Sequence, residues 1–364
     1  MLLLNPGPVS LSDRVRQSLL RPDLCHRESE FFDLQDEARE RLLAVYALAP
    51  AEWSAVLMTA SGTGAVESMV STLVPQQGRV LTVENGVYGA RIADICARYG
   101  IAHERVVGDW MQALDLSEVA ARLEAASSDA RGTGAAPFTH LAVVHHETTT
   151  GRLNALSGLG ELCRRYGAKL LVDAVSSFGA EPLDFDDASL AAAAATSNKC
   201  LHGVPGVSFV VVRRSALEQA ASRSHYLDLV RLARAQESRD TPFTPAVHAH
   251  YALVEALREY AEQGGLKARH ERYAALAGQV HAGLRELGIA AVLPPEESSV
   301  VLRSYRLPAG MSYATLHDAL KAHGFIIYGG QGNLSQRLFR ISTMGDVAAA
   351  DIDRLLRCLC DLQG

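Results

Sequence analysis

The sequence has no Cys-x-x-Cys pair among its six cysteines, Cys25, Cys96, Cys163, Cys200, Cys358 and Cys360. That spacing removes zinc-ribbon and thioredoxin-type chemistry and leaves free thiols as the simplest reading. No apolar run approaches the roughly 18 residues of a membrane span. The opening MLLLNPGPVSLSDR lacks the basic and apolar regions of a secretory leader. A cytoplasmic protein with no membrane partner is therefore expected. A basic excess is missing too: 35 Lys+Arg face 41 Asp+Glu, a formal net charge of −6. Nothing drives non-specific nucleic-acid binding, although a local cationic pocket for a small anion is compatible with this balance. Internal repeats, a Ca²⁺ loop, a Walker loop and an H-E-x-x-H helix are absent, and no metal site is expected. What is present is an apolar chain of 364 residues, 48% hydrophobic and 21% charged. It is too apolar to be disordered, and its length suggests two lobes.

Short β-type runs alternate with helical patterns, as in a parallel sheet covered on both faces. Strands are expected at Ala55–Thr59, Arg79–Glu84, Ala102–Val107, His140–His145, Lys169–Ala174, Leu190–Thr196 and Ser208–Arg213. The alanine run in the sixth is weak by propensity, yet its place between strand candidates suits a strand. Val66, Met69, Val70 and Leu73 fall at i, i+3, i+4, i+7, a helical face; Gly86–Tyr99 and Leu156–Tyr166 read alike. The Ser/Gly/Ala-rich stretch Ala126–Pro137 reads as an exposed loop. After about residue 246 long helices take over, Val247–Gln263 and Lys267–Leu287. Then come Val300–Tyr305, Ala314–His323, Leu338–Ser342 and a last helix Val347–Leu362. The expected division is a large lobe, 1–245, and a smaller α+β lobe, 246–364.

Three features carry chemistry. Ala60-Ser61-Gly62-Thr63-Gly64 follows a strand and opens a helix. It is either a plain tight turn or a phosphate cradle at a helix N-terminus. Asp173 closes an apolar strand at the sheet edge where ligands bind in open α/β folds; its alternative is a turn or cap residue. Lys199, in Thr196-Ser197-Asn198-Lys199-Cys200-Leu201-His202-Gly203-Val204-Pro205-Gly206, is either a solvated surface group or an enclosed amine. A desolvated lysine has a lowered pKa and can form a Schiff base. Cradle, carboxylate and lysine, in that order on strand ends, are what pyridoxal 5'-phosphate requires.

On LNPGPV, ASGTGAVES, ENGVYGAR, HHETTTG, LLVDAVSSFG, SNKCLHGVPG, PFTPAVH and FRISTMGD, the chain resembles the fold-type I pyridoxal-phosphate aminotransferases. Within them it resembles the class V branch that holds the alanine–glyoxylate and 2-aminoethylphosphonate–pyruvate enzymes. ETTTG, VDAVSSFG and NKC-x2-GVPG look more like the aminoethylphosphonate group. The resemblance implies a seven-stranded, mostly parallel sheet between helices with a smaller α+β C-terminal domain. It implies a ping-pong transaminase converting 2-aminoethylphosphonate and pyruvate to phosphonoacetaldehyde and alanine, or the reverse. The alternative is an alanine/serine–glyoxylate or –pyruvate enzyme on the same fold. A lyase or cysteine desulfurase would need a catalytic cysteine loop, and residues 320–345 contain no cysteine.

By motif match, Lys199 is implied to hold the cofactor and shuttle the proton, and Asp173 to keep the ring nitrogen protonated. Gly62, Thr63, Gly64 and Asn198 are implied to hold the phosphate, Tyr88 to stack on the ring, and Thr148 to bond near its hydroxyl. Arg340 is implied to bind the substrate anion, and Thr244 to reach the phosphate of a partner subunit in a homodimer with shared sites. Arg27 and Arg91 are each either a second positive charge for a phosphonate or a surface ion pair. Tyr328-Gly329-Gly330-Gln331 stands where relatives often have Pro-Gly-Lys, which should alter the pocket wall. His145 and His146, adjacent on a strand, would point to opposite faces and suit structural roles.

Overall fold

The computed structural model describes residues 1–129 and 136–362. Its centre is a seven-stranded sheet. Across it run Trp53–Met58, Ser208–Arg213, Leu190–Thr196, Lys169–Asp173, His140–Val144, Arg79–Glu84 and Ala102–Val107. Ser208–Arg213 is antiparallel to both neighbours, and the others share one direction. All seven expected strands are present, within two residues at each end.

Leu190–Thr196 is buried along its whole length. Its alanines Ala191, Ala192 and Ala194 pack with Val66, Met69 and Val70 of the helix Gly62–Leu73. Small side chains let that helix settle close to the sheet, so packing overrides poor strand propensity. The helices Val87–Arg98 and Ser157–Tyr166 match the expected spans. The loop expected at Ala126–Pro137 needs correction. The helix Leu116–Asp129 carries residues 126–129, because alanine and serine are tolerated in helices; residues 130–135 of that stretch lie outside the described residues.

The C-terminal lobe holds a three-stranded sheet in the order Leu302–Arg306, Leu338–Ser342, Tyr328–Gly329. The helices Gly265–Glu286, Tyr313–Ala322 and Ala349–Asp361 accompany it. Leu276, Val280, Phe339, Ile341, Ile352 and Leu355 form its core. Packing crosses the chain midpoint in both directions. Leu2–Leu3 runs parallel to Phe325–Ile326 and places Leu4 in the C-terminal core. The helix Val247–Glu262 lays Leu253, Val254 and Leu257 into the core beneath the large sheet. Among the described residues no helix is long and apolar enough to cross a membrane.

Candidate active site

Six strands of the large sheet end at one edge, in Met58, Glu84, Val107, Val144, Asp173 and Thr196. Topology thus gathers the Ser61–Gly64 turn, Tyr88, Thr148, Asp173 and Lys199 from segments far apart in sequence, where ligands bind in open α/β sheets.

A tight turn presents Lys199. Ser197 donates its amide to the Val207 carbonyl at 3.1 Å, and Gly203 donates back to Ser197 at 2.8 Å. The Lys199 side chain keeps partial contact with solvent, while its amine is enclosed and donates to the Pro6 carbonyl. Gly7 covers the stem: a Cβ there would approach Lys199 Cδ to 2.8 Å, and its φ of +115° suits glycine. Burial lowers the Lys199 amine to about 8. Cys200 and Asp173 oppose that shift, and the Arg340 and Arg91 guanidinium groups reinforce it. The amine is therefore enclosed, the second of the two readings open at the sequence level.

Asp173 is buried. Burial pushes its carboxyl up to about 6, against the Val175 amide, which donates to it at 3.0 Å; the nearby Glu147 raises it further. A desolvated carboxylate of this kind is stabilised by a cation placed against it. Gly62 begins its helix hard against the same segment: a Cβ there would lie 2.7 Å from Val175 Cγ1. At Gly64 a Cβ would meet Ala60 Cβ at 2.7 Å. The two glycines thus hold the turn tight, with the amides of a helix N-terminus at its mouth. Thr63 Oγ1 accepts from Arg91 Nη1 at 3.0 Å, and the same guanidinium lies over the Tyr88 ring, 4.6 Å from its centroid. Arg91 thereby ties the cradle to the aromatic. Asn198 Oδ1 accepts from Thr196 Oγ1 at 2.8 Å, which fixes its amide beside the Lys199 turn.

Glu147 organises the facing wall. Its buried carboxylate accepts from the amides of Tyr88, Gly89 and Thr149 at 3.1–3.2 Å and from Thr149 Oγ1 at 2.6 Å. It thus caps the helix Val87–Arg98 that carries Tyr88. Burial raises its carboxyl against those four bonds. The next residue, Thr148, has a buried Oγ1 without a hydrogen-bond partner among the described residues. His145 Nδ1 lies 3.0 Å from Ser177 Oγ and His146 Nδ1 2.8 Å from the Ser176 carbonyl. Burial holds the two rings neutral, at about 3 and 4. Their Nδ1 bonds serve the wall of the site.

Arg340 enters from the smaller lobe and is only 2% exposed. Its Nη1 donates to the Thr148 carbonyl at 2.9 Å and its Nε to the Gly329 carbonyl at 2.8 Å. Burial pulls the guanidinium below its ordinary value, and the charges of Tyr88, Tyr313 and Glu147 oppose this. The Arg340 charge reaches the Lys199 amine, which it helps to lower.

Two expected site residues stand apart. Arg27 is 61% exposed, with its guanidinium 3.5 Å from Asp240, which matches the surface-pair alternative within this chain. Thr244 is exposed and lines a cavity of about 30 Å³ with Thr59, Tyr226 and Phe243. No hydrogen bond joins it to the Lys199 group among the described residues. Three contributions lay beyond sequence reasoning: the Pro6 carbonyl, the cap made by Glu147 and the Arg91 bridge. Only Glu147 carries a local signal, an acidic residue inside a threonine-rich strand exit.

The residues fit a flat, phosphate-bearing aldehyde. A glycine-lined helix N-terminus suits the phosphate, a desolvated Asp173 suits a protonated ring nitrogen, and the unpartnered Thr148 Oγ1 suits a ring hydroxyl. An enclosed amine with a lowered pKa suits the carbonyl.

Comparison with known proteins points the same way. The family model described as Aminotransferase class-V matches residues 17–355. A 2-aminoethylphosphonate–pyruvate transaminase of Salmonella schwarzengrund is 37% identical over 365 residues, covering 98% of this chain and 96% of that protein. A protein of the same name from Bacillus cytotoxicus is 35% identical over 367 residues, covering 99% and 97%. The solved alanine–glyoxylate aminotransferase of Nostoc sp. superposes with a TM-score of 0.90 at 28% identity, covering 100% of this chain and 95% of that one. Matched nearly end to end by these proteins, and carrying the lysine, carboxylate and glycine turn at one sheet edge, the chain belongs to the class V aminotransferase family.

Proposed function

We propose that this chain is a pyridoxal-phosphate-dependent transaminase moving an amino group between 2-aminoethylphosphonate and pyruvate, with phosphonoacetaldehyde and alanine as the other pair. The observation that carries this reading is the pair of relatives of that name at 35% and 37% identity, aligned over nearly the whole chain. Buried Arg340, whose charge reaches the Lys199 amine, is proposed to supply the anion site the substrates need. We keep the division at 245/246 as a functional one: the first part supplies the cofactor residues and the second supplies Arg340. Thr244, exposed on its loop, is proposed to complete the phosphate site of a second copy, which makes the working unit a homodimer.

When bound, the cofactor supplies an electron sink for the charge left when a proton leaves the amine-bearing carbon. The amides of Gly62, Thr63 and Gly64, with Asn198, are proposed to hold its phosphate. Tyr88 would cover the ring, Asp173 would keep its nitrogen protonated, and Thr148 Oγ1 would donate to its hydroxyl. Lys199 would hold the cofactor, and its amine would take a proton from the substrate carbon and give one back. General acid–base work of this kind contributes about 10²–10⁴-fold. Arg340 binds the phosphonate or carboxylate of each substrate in turn, so one cation serves both halves of the ping-pong cycle.

The amine must be neutral to attack an aldehyde. With Lys199 at about 8, about one tenth is neutral at pH 7 and about nine tenths at pH 9. Attachment of pyridoxal phosphate to the cofactor-free protein, followed by its visible absorbance, should therefore speed up about tenfold over that interval and level off above it. A rate unchanged across pH 7–9 would contradict the lowered lysine. The function itself is tested by a substrate screen on the purified holoenzyme. 2-Aminoethylphosphonate with pyruvate should exceed alanine or serine with glyoxylate or pyruvate in kcat/KM by about tenfold, the worth of one further charge-assisted hydrogen bond. Faster turnover of alanine or serine would install the carboxylate-only reading instead.

A further inference from the structure

Arg340 shares its guanidinium with a neutral side chain. Besides its bonds to Thr148 and Gly329, Nη1 donates to Gln331 Oε1 at 3.2 Å. A guanidinium has only donors, so an amide facing it must present its oxygen. That requirement turns the Gln331 nitrogen, with its two N–H groups, away from Arg340. Neither Gln331 Nε2 nor Arg340 Nη2 makes a hydrogen bond among the described residues. Neither is among the sealed, unpartnered polar atoms of those residues either, so each keeps some contact with solvent.

The backbone holds Gln331 on both sides. Gly330 donates its amide to the Leu338 carbonyl at 2.8 Å, and Leu334 donates to the Gln331 carbonyl at 3.0 Å. The Gln331 donor is therefore pre-placed beside Arg340 and does not depend on loop closure.

Anion shape decides what this donor recognises. The Gly329 bond uses the Nε–H of Arg340 and the Thr148 and Gln331 bonds use both N–H groups of Nη1, so Nη2 is left to an anion, and its two N–H groups meet at most two oxygens, the full complement of a planar carboxylate. A phosphonate has three oxygens around a tetrahedral phosphorus, so after two meet Arg340 the third needs another donor. We propose that Gln331 Nε2 supplies it and sets the preference of this site for a tetrahedral, three-oxygen anion over a planar carboxylate. The inference rests on the aminoethylphosphonate reading above and assigns a residue to its specificity.

The test is Gln331→Leu, which keeps the bulk and removes the donor. In the holoenzyme, kcat/KM for 2-aminoethylphosphonate should fall about tenfold through KM, while that for alanine changes less than about twofold. Calorimetric titration of the same preparation should show methylphosphonate weakened about tenfold and acetate unchanged. Because each comparison is a ratio within one preparation, partial loss of folded protein cancels. Gln331→Lys, which restores an N–H donor, should recover the ratio. Equal weakening of both anions, or of neither, overturns the assignment to Gln331. Absence of 2-aminoethylphosphonate turnover in the wild type overturns the underlying functional reading and this inference with it.

Discussion

Replacing Lys199 with alanine is expected to lower turnover by at least about 10⁴-fold, because on the proposed function it removes the attaching amine and the proton carrier together. The same change should abolish the visible absorbance of lysine-bound cofactor. The effect belongs to chemistry and not to folding. Lys199 contributes a partly solvated side chain to a turn held by backbone bonds at Ser197 and Gly203. Its amine bonds only the Pro6 carbonyl among the described residues. Far-ultraviolet circular dichroism and Tm should therefore stay near those of the wild type. A variant that still attached pyridoxal phosphate covalently would sink the assignment of the whole site.

The second large effect is expected for Arg340→Ala. Truncating one partner of a buried, hydrogen-bonded charge pair costs about 2–5 kcal/mol. kcat/KM should accordingly fall by about 10²-fold or more for the amino donor and for the keto acid alike. The change also strips donors from the Thr148 and Gly329 carbonyls and from Gln331 Oε1. Some stability will be lost as well, so Tm must be measured alongside. What distinguishes anion binding from stability is the kinetic pattern: KM rises for both half-reactions while the absorbance of bound cofactor is retained. A defect confined to one substrate would break the idea that a single arginine serves both.

Much of the large sheet is legible in the residues because its strands are buried on both faces and read as short apolar runs. Arg79–Glu84 and Ser208–Arg213 are examples, matched to the residue. The loop reading at Ala126–Pro137 failed over residues 126–129 for a compositional reason. Small polar and alanine-rich segments suit both loops and helix ends, and no periodicity separates the two over so few residues. The lysine, the carboxylate and the glycine turn are legible as well, since each sits at the end of a strand whose position is readable.

Contacts between distant segments are another matter. Arg340 reaches Thr148, 192 residues away, and Lys199 reaches Pro6, 193 residues away. No local pattern encodes either pairing. Arg27 and Arg91 looked alike as charges, yet Arg27 pairs with exposed Asp240 while Arg91 spans Thr63 and Tyr88.

The absences noted first, no paired cysteines, no basic excess and no long apolar run, are properties of composition, and the sequence alone determined them. It also determined the order of cradle, carboxylate and lysine, because strand ends follow from local apolar runs. Only the tertiary structure decided which groups share the space around Lys199, that Glu147 caps the Tyr88 helix, and that Gln331 stands beside Arg340. The physical reason is that sheet topology and lobe packing bring together residues whose separation along the chain carries no information about their separation in space.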